Sequence, residues 1–223
     1  MLLLAAHPHA GKTSGPLKLR AQLICIGLVF VMLGVLSPRA GAQQSSATVP
    51  SADGGAWKLG LWAGEAVGKT VGHSFGDVQL TMAGFHIARV VHSFSSESSR
   101  KSTLEYTFEA QPLFLVTGLQ TAYGGGFSPA GLKWQLAGRG RYRPYLEWNG
   151  GMMFSPKNIP AGDTSTFNFT TSIGPGMMIY TRRNRAVNVA VRFWHLSNGK
   201  LGNTNPSYNT IQVLLGYNWL TSK

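Results

Sequence analysis

Apolar and polar side chains alternate at every second position through much of the chain from Trp57 onward, and this period constrains the fold most. Successive side chains of a β-strand point to opposite faces, so such alternation predicts strands. No helical period persists in the same region. Clusters of Gly, Asn, Ser and Pro divide it into eight predicted strands, at about 57–63, 77–92, 103–117, 128–138, 141–154, 165–181, 185–197 and 209–220.

The two faces of these strands differ in chemistry. In the last strand one face reads Ile211, Val213, Leu215, Tyr217 and Trp219, which is apolar and aromatic. The polar faces of the third and fifth strands hold carboxylates and cations, which we expect to pair with one another inside a lumen: Glu105, Glu109 and Glu147 against Arg141 and Arg143. In the third strand the same alternation places Phe114 on the apolar face.

Several predicted strands exceed ten residues, the length of a tilted strand that crosses a bilayer. Eight strands with a wide apolar face therefore predict an all-β fold, an eight-stranded antiparallel transmembrane β-barrel filled by side chains. A lipocalin-like soluble barrel with an apolar interior remains an alternative.

The composition excludes three other classes. Of 223 residues, 43% are hydrophobic and 11% aromatic, which is too apolar for a disordered chain. A single Cys excludes a disulfide scaffold. Only one stretch is continuously apolar, which excludes a helical membrane bundle.

That stretch, 23–36, has the length of a signal-peptide core. Lys18 and Arg20 precede it, and the small residues Ala40-Gly41-Ala42 follow it as a cleavage site. We therefore expect a signal peptide at 1–42, a flexible linker at 43–56 and a β-barrel domain at 57–223, exported to the Gram-negative outer membrane. An uncleaved anchor helix is the alternative for the first segment.

The formal net charge is +12, from 20 Lys and Arg against 8 Asp and Glu. The cations are scattered and form no stripe, which argues against a nucleic-acid partner. Anionic phosphates at a membrane surface are the better match to this charge.

The seventh predicted strand carries the candidate chemistry. His195 and Ser197 are two residues apart and so share a face, the one that holds Val191 and Phe193. An imidazole within hydrogen-bond reach of a hydroxyl is the base and nucleophile of acyl transfer. On a lipid-facing surface such a pair suits a lipid substrate. A polar pair at the membrane interface, with no catalysis, is the alternative.

The hairpin that joins the last two predicted strands adds two features. Asn209 has the parity of Ile211 and is expected to come close to His195 or Ser197. Backbone N–H groups near Asn198 and Gly199 are candidates for an oxyanion site, since Gly allows close approach to a ligand.

Other candidate sites are weak. The histidines 73, 86 and 92 have no Cys or carboxylate at ligand spacing, so we expect no metal and no cofactor. The run Gly124-Gly125-Gly126 opens no helix and is predicted to be a loop. The tryptophans are predicted to be packing or membrane-interface residues.

The segment RFWHLSNGKLGNTNPSYN, within 192–219, resembles the lipid A 3-O-deacylase (acyloxyacyl-hydrolase-like) family. The resemblance implies an outer-membrane barrel that removes the ester-linked acyl chain at the 3 position of lipid A in lipopolysaccharide. It implies that Ser197 is the nucleophile and His195 the base, and that Asn198 is associated with the oxyanion site.

The chain departs from the family pattern at two positions. Asn209 stands where the family's characterised enzymes have a Glu, and Ser207 stands at the usual Gly of the turn. An Asn can orient a His by hydrogen bonding, but it cannot stabilise an imidazolium by charge. We therefore expect reduced turnover or a shifted substrate, and a catalytically inactive structural or lipid-binding barrel is the alternative. The sequence leaves the oligomeric state open.

Overall fold

The computed structural model describes residues 56–68, 77–95 and 101–221. They form eight antiparallel strands, each paired with its sequence neighbours, and the first pairs with the last. The strands are β1 (Trp57–Gly68), β2 (Gln79–Ser95), β3 (Lys101–Thr117), β4 (Ala122–Gln135), β5 (Tyr142–Phe154), β6 (Phe167–Arg182), β7 (Arg185–Ser197) and β8 (Ser207–Leu220).

The closed barrel confirms the predicted fold class. β1 and β8 pair from Lys58 opposite Leu220 to Gly68 opposite Thr210, so the sheet has no free edge. Closure satisfies the backbone hydrogen bonds, which a bilayer interior requires. In these ranges no helix is long and apolar enough to cross a membrane. The predicted signal peptide and nearly all of the predicted linker lie outside the described residues.

The outward face of the barrel is apolar. Large hydrophobic side chains on every strand are exposed, among them Leu61, Phe85, Tyr106, Leu132, Trp148, Ile173, Val191 and Val213. An exposed apolar surface of this extent marks a membrane contact rather than a soluble exterior. The carrier alternative requires a polar exterior, and the observed surface is the opposite.

The barrel interior holds a network of buried ion pairs. Arg192 on β7 contacts both Glu109 (2.9 Å) and Glu147 (2.8 Å), and Lys133 lies 3.3 Å from Glu147. Lys58 contacts Glu105 at 2.6 Å. The prediction that these three carboxylates pair inside the lumen is confirmed.

The predicted cationic partners were wrong. Arg141 is exposed in the turn before β5, and Arg143 bonds to backbone oxygens of that turn, Gly140 (3.1 Å) and Tyr142 (3.2 Å). The interior cations come instead from β1, β4 and β7. Alternation assigns a side chain to a face, but it does not say which strands meet across the lumen.

An apolar layer fills the barrel beside the ionic one, at the end where β7 finishes. It includes Leu80, Val116, Leu196 and Tyr208, all buried. Phe114 belongs to this layer, with its ring centroid 5.7 Å from that of Trp194. The prediction that Phe114 faces outward was wrong, because a register shift between Gln111 and Phe114 reverses the alternation there.

The three-glycine run is also corrected by the structure. Gly124–Gly126 lie inside β4 and not in a loop. A Cβ at Gly124 would collide with the carbonyl oxygen of Phe154 on β5, so the strands approach closely only because no side chain is present. Three residues without side chains give no alternation to read, which is why the strand start was missed.

The two ends of the barrel differ in loop length. The segments 155–166 and 198–206 connect strands at the end where β7 finishes, which we call the long-loop end. At the other end, the short-turn end, β6 and β7 are joined by residues 183–184 alone. Outer-membrane barrels place short turns in the periplasm and long loops outside the cell.

Candidate active site

Three polar side chains form a hydrogen-bonded chain on the outward face of β7 and β8. His195 Nε2 lies 3.1 Å from Ser197 Oγ, and His195 Nδ1 lies 2.6 Å from Asn209 Oδ1. His195 and Asn209 are directly opposite each other in the register, and Ser197 is opposite Ser207. The antiparallel pairing of β7 with β8 therefore builds the whole arrangement.

The hydrogen bonds select one tautomer of the histidine. An amide oxygen only accepts, so the proton of the neutral imidazole must be on Nδ1 where it meets Asn209. Nε2 then has a free lone pair that accepts the hydroxyl proton of Ser197. Asn209 is oriented in turn because its Nδ2 donates to Ser207 Oγ at 3.4 Å. This is the protonation pattern that a general base beside a nucleophile needs.

All three side chains are half-buried, between the apolar exterior and the loops. Alternation explains their direction, because Arg192, Trp194 and Leu196 on the same strand are buried inside. The predicted parity of His195 and Ser197 is the one that the structure has.

Strand β6 supplies the other wall of the site. Phe169 is directly opposite Ser197, and Thr171 is opposite His195. The Phe169 ring is 44% exposed and packs edge-on against Phe167, with ring centroids 5.1 Å apart. The ring of Phe167 in turn packs against that of Phe154, with centroids 5.0 Å apart. A row of phenylalanines thus extends from the serine across the outward face of β6 and β5.

Asn198 follows the serine and organises the next loop. Its side chain is fully buried, donates from Nδ2 to the Thr204 carbonyl (2.8 Å) and accepts from the Lys200 N–H (2.9 Å). Its own backbone N–H donates to Asn205 Oδ1 at 3.1 Å. The Asn198 N–H, one of the two predicted oxyanion groups, therefore already has a partner within the loop.

Gly199 is the second predicted oxyanion residue, and its backbone is in the left-handed region at φ +60°. A Cβ at this position would lie 3.0 Å from the Phe169 ring, so a side chain here would press on the wall opposite the serine. Among the residues that the structure describes, its N–H has no hydrogen-bond partner. This N–H, two residues after Ser197, is therefore not used as a donor within the described structure.

A second loop holds the 198–206 loop in place. Thr204 donates from its backbone N–H and from its hydroxyl to the carbonyl of Asp163, each at 3.0 Å. Asn203 Nδ2 donates to Asp163 Oδ2 at 2.6 Å. These contacts were not predicted, since no local pattern links residues forty positions apart.

None of the carboxylates in the described ranges contacts His195. Glu105, Glu109 and Glu147 are inside the barrel, and Asp163 bonds to Asn203. Glu65 is on the outward face of β1, opposite Val213 of β8, and accepts a hydrogen bond from Thr81 Oγ1 at 2.8 Å. Glu65 therefore faces outward, as the candidate site does, but it does not contact His195.

The two described histidines outside the site lie in different surroundings. His86 is buried in the barrel and His92 is exposed on β2, while His73 lies outside the described residues. The described part of the chain contains no group of three or more His, Cys, Asp or Glu that could hold a metal ion.

Two wall and loop residues were missed by sequence reasoning. Phe169 faces Ser197 only because of the β6–β7 register, which the sequence of β7 does not reveal. Asn205 accepts a hydrogen bond from the Asn198 backbone N–H, a contact within the loop that the sequence does not reveal.

Comparisons with known proteins point to one family. The family model described as lipid A 3-O-deacylase (PagL) matches residues 88–218, which is more than half of the chain and includes the whole hydrogen-bonded chain on β7 and β8. A search of curated proteins finds no match.

Two solved structures are similar in outline. The crystal structure of the outer membrane enzyme PagL is 18% identical, with a TM-score of 0.47, and the match covers 71% of this chain and 97% of that one. The N-terminal β-barrel domain of Pseudomonas aeruginosa OprF is 11% identical, with a TM-score of 0.42, and the match covers 74% of this chain and 98% of that one.

Proposed function

The chain belongs to the lipid A 3-O-deacylase (PagL) family, and on that premise we propose that it is an outer-membrane serine esterase that hydrolyses the 3-O-linked acyl chain of lipid A. The observation that carries the proposal is the unbroken hydrogen-bonded chain from Ser197 through His195 to Asn209. It is the nucleophile, base and orienting group of acyl transfer, met on a surface that faces lipid.

The proposed reaction proceeds in two steps. Ser197 Oγ attacks the ester carbonyl carbon while its proton passes to His195 Nε2. The bond between that carbon and the 3-oxygen of the sugar then breaks, and His195 gives the proton to the leaving oxygen, which becomes the 3-hydroxyl. The acyl group remains on Ser197. Water, deprotonated by His195, next attacks this ester, which releases the fatty acid and returns the proton to Ser197.

Asn209 orients the imidazole during both steps. When His195 takes the second proton, its Nδ1–H still donates to Asn209 Oδ1, so the ring keeps the direction that the reaction needs. A neutral amide gives the imidazolium a dipole and no opposing charge. The proposed enzyme is therefore slower than a relative with a carboxylate at this position.

The oxyanion of each tetrahedral intermediate is assigned to the Gly199 N–H. Support comes from its unpartnered donor and from the two layers of hydrogen bonds that fix the loop through Asn198 and Asp163. Preorganised donors are effective because they do not need to turn toward the charge as it forms.

The phenylalanine row supports a substrate with long acyl chains. Phe169, Phe167 and Phe154 form an apolar surface that begins opposite Ser197. A lipid chain that lies on these rings stays in the hydrocarbon layer while its ester reaches the serine. No cofactor takes part in this proposal.

The loop lengths support the orientation in the membrane. The site lies at the long-loop end, where outer-membrane barrels face the cell exterior. The lipid there is lipopolysaccharide, whose lipid A is the proposed substrate.

The test is a mass measurement on lipid A incubated with the purified full chain in detergent. We expect the wild type to remove one hydroxyacyl chain, with water added across the ester, and to leave unchanged a lipid A that already lacks its 3-O-acyl chain. Ser197→Ala should remove none. Thr121→Ala, which deletes an exposed hydroxyl in the turn between β3 and β4, should equal the wild type.

The second candidate function is a structural or lipid-binding barrel without catalysis. The neutral third member, Asn209, is the observation that favours it. It predicts intact lipid A after incubation with the wild type. Equal loss of the chain with wild type and Ser197→Ala would contradict the serine mechanism.

A further inference from the structure

The short-turn end of the barrel carries a dense group of arginines on two turns. Residues 136–141 join β4 to β5, and residues 183–184 join β6 to β7. Together with the adjoining strand ends they hold six arginines, which we call the arginine rim: Arg139, Arg141, Arg143, Arg182, Arg183 and Arg185. Four of these six side chains are exposed, and two are half-buried.

The fold brings the two turns together. The backbone N–H of Tyr180, near the end of β6, donates to the carbonyl of Arg141 at 2.9 Å. Within the β6–β7 turn, Arg182 and Arg185 are direct partners across the strands. Like charges in directly opposite positions destabilise a sheet. The rim therefore concentrates positive charge that no carboxylate of the described strands and turns neutralises.

No described carboxylate lies on these turns or at their strand ends. The side chains of Arg182 and Arg183 have no hydrogen-bond or ion-pair partner among the described residues. The described loops of the long-loop end differ, since the cations Lys157 and Lys200 are balanced there by two aspartates, Asp77 and Asp163. Among the described loops and turns, the excess of positive charge therefore lies at the short-turn end.

Aromatic side chains mark the level of the membrane surface beside the rim. Trp134 and Tyr142 are exposed on β4 and β5, and the Arg141 guanidinium lies 5.3 Å from the centre of the Tyr142 ring. Arg185 donates to Tyr217 Oη at 3.5 Å. Trp and Tyr collect where lipid headgroups meet hydrocarbon. The guanidinium groups are thus at the depth of the headgroups.

We propose that the arginine rim is a binding site for anionic phospholipid headgroups of the leaflet at the short-turn end. A guanidinium binds phosphate oxygens through two parallel hydrogen bonds, and it is less strongly hydrated than an ammonium. A phosphodiester with net negative charge offsets the repulsion between Arg182 and Arg185. A zwitterionic headgroup also brings an ammonium group to the rim, and therefore offsets less of this repulsion.

This site is distinct from the candidate active site, which lies at the other end of β7. Its ligand is a phospholipid and not the proposed lipid A substrate. The acyl chains of this phospholipid cover the apolar exterior of the barrel next to the rim. The site holds the barrel in one orientation, because the arginines must remain on the phospholipid side. Its existence does not depend on whether Ser197 is catalytic.

Native mass spectrometry of the full chain tests the proposal. The protein in detergent micelles is given equal amounts of phosphatidylglycerol and phosphatidylethanolamine, and the retained lipids are counted. We expect at least about a fivefold excess of retained phosphatidylglycerol, falling as salt is added. The triple variant Arg182→Gln, Arg183→Gln, Arg185→Gln removes half of the rim, including its two directly opposed arginines, and should lose most of this preference.

The matched control is the double variant Lys157→Gln, Lys200→Gln, which removes charge at the long-loop end and should keep the preference. Should the triple variant fail to fold, the single Arg183→Gln at the exposed turn should lower the preference by about half.

Equal retention of both lipids by the wild type, or a preference that the triple variant keeps undiminished, would overturn the proposal. Displacement of the lipid by glycerol phosphate at equal concentration would also overturn it, since a free phosphate would then suffice.

Discussion

Strand β7 takes part in two polar networks that face opposite ways and differ in charge. Arg192 points inward and contacts two carboxylates, and the interior network is built of full charges. His195, three residues later, points outward and contacts a hydroxyl and an amide. Strand β7 therefore places its formal charge where other strands can surround it, and its outward site works with neutral partners.

The physical cause is the surroundings of each network. Charges removed from water cost several kcal/mol each unless opposite charges and hydrogen bonds replace the solvent, and the lumen supplies these from β3, β4 and β5. On the lipid side only neighbouring strands and loops can do so. A neutral Asn209 is easier to keep there than a carboxylate, and the same neutrality limits how well the imidazolium is stabilised.

The largest loss of activity is expected when the base of the outward network is removed. His195→Ala should lower the deacylation rate by about 10³-fold or more, because Ser197 loses its proton acceptor. The double variant His195→Ala, Ser197→Ala should be no slower than either single variant, since the two residues act as one unit. Single-turnover release of fatty acid measures all three.

The same variants separate function from fold. Each variant should have the electrophoretic mobility and the urea unfolding midpoint of the wild type, because the hydrogen bonds of the outward network are few and partly solvated. A His195→Ala enzyme within about tenfold of the wild type would show that the imidazole is not the base.

The interior network should respond in the opposite way. Glu147→Gln leaves Arg192 and Lys133 short of a buried negative charge, and we expect the free energy of unfolding to fall by about 3 kcal/mol. Urea titration of the refolded barrel measures this. The folded fraction should keep its activity to within about twofold, since Glu147 is on the far side of the sheet from Ser197.

Lys157→Gln is the control for the interior prediction, because it removes an exposed charge in a loop and should change stability by less than about 0.5 kcal/mol. A Glu147→Gln barrel as stable as this control would mean that the interior charges contribute no net stability.

A single substitution at Asn209 can introduce a carboxylate into the outward network. Asn209→Glu gives the outward site the charge that the interior has, and we expect turnover to rise by about tenfold, since a carboxylate stabilises the imidazolium that forms. Asn209→Ala, which removes the contact with Nδ1, should lower turnover by a similar factor. Steady-state kcat for the three proteins measures both changes.

The direction of the Asn209→Glu change decides between impairment and loss of function. A gain identifies a working enzyme with a weakened third member. Unchanged, undetectable hydrolysis in both proteins would favour the structural or lipid-binding barrel.

Parity explains how much of this molecule could be predicted. Strand number, the outward direction of His195 and Ser197, and the inward direction of Glu105 and Glu147 all follow from a period of two, which each strand carries in its own sequence. The meeting of Asn209 with His195 follows from the antiparallel pairing of two strands that are consecutive in the sequence.

What could not be predicted depends on partners distant in sequence. Arg192 finds Glu109 across the lumen, and Asp163 supports Thr204 across two loops. The bulge before Phe114 reverses a face because of how β3 pairs with β4, and no local period reports it. Register and bulges are set by the closed sheet as a whole.

The smallest predicted effect concerns the backbone beside the outward network. Gly199→Ala places a side chain in the left-handed region at φ +60°, which costs about 1 kcal/mol, and presses its Cβ against Phe169 at 3.0 Å. The loop moves to relieve this strain, which takes the N–H away from the forming oxyanion. We therefore expect kcat to fall by about fivefold, with KM little changed.

Gly140→Ala is the matched control, because Gly140 has a similar φ of +53° with nothing within 4 Å, at the short-turn end. It carries the same backbone strain without the contact or the site. Equal kcat for the two variants would therefore remove the Gly199 N–H from the proposed mechanism and leave the oxyanion to another donor of the loop.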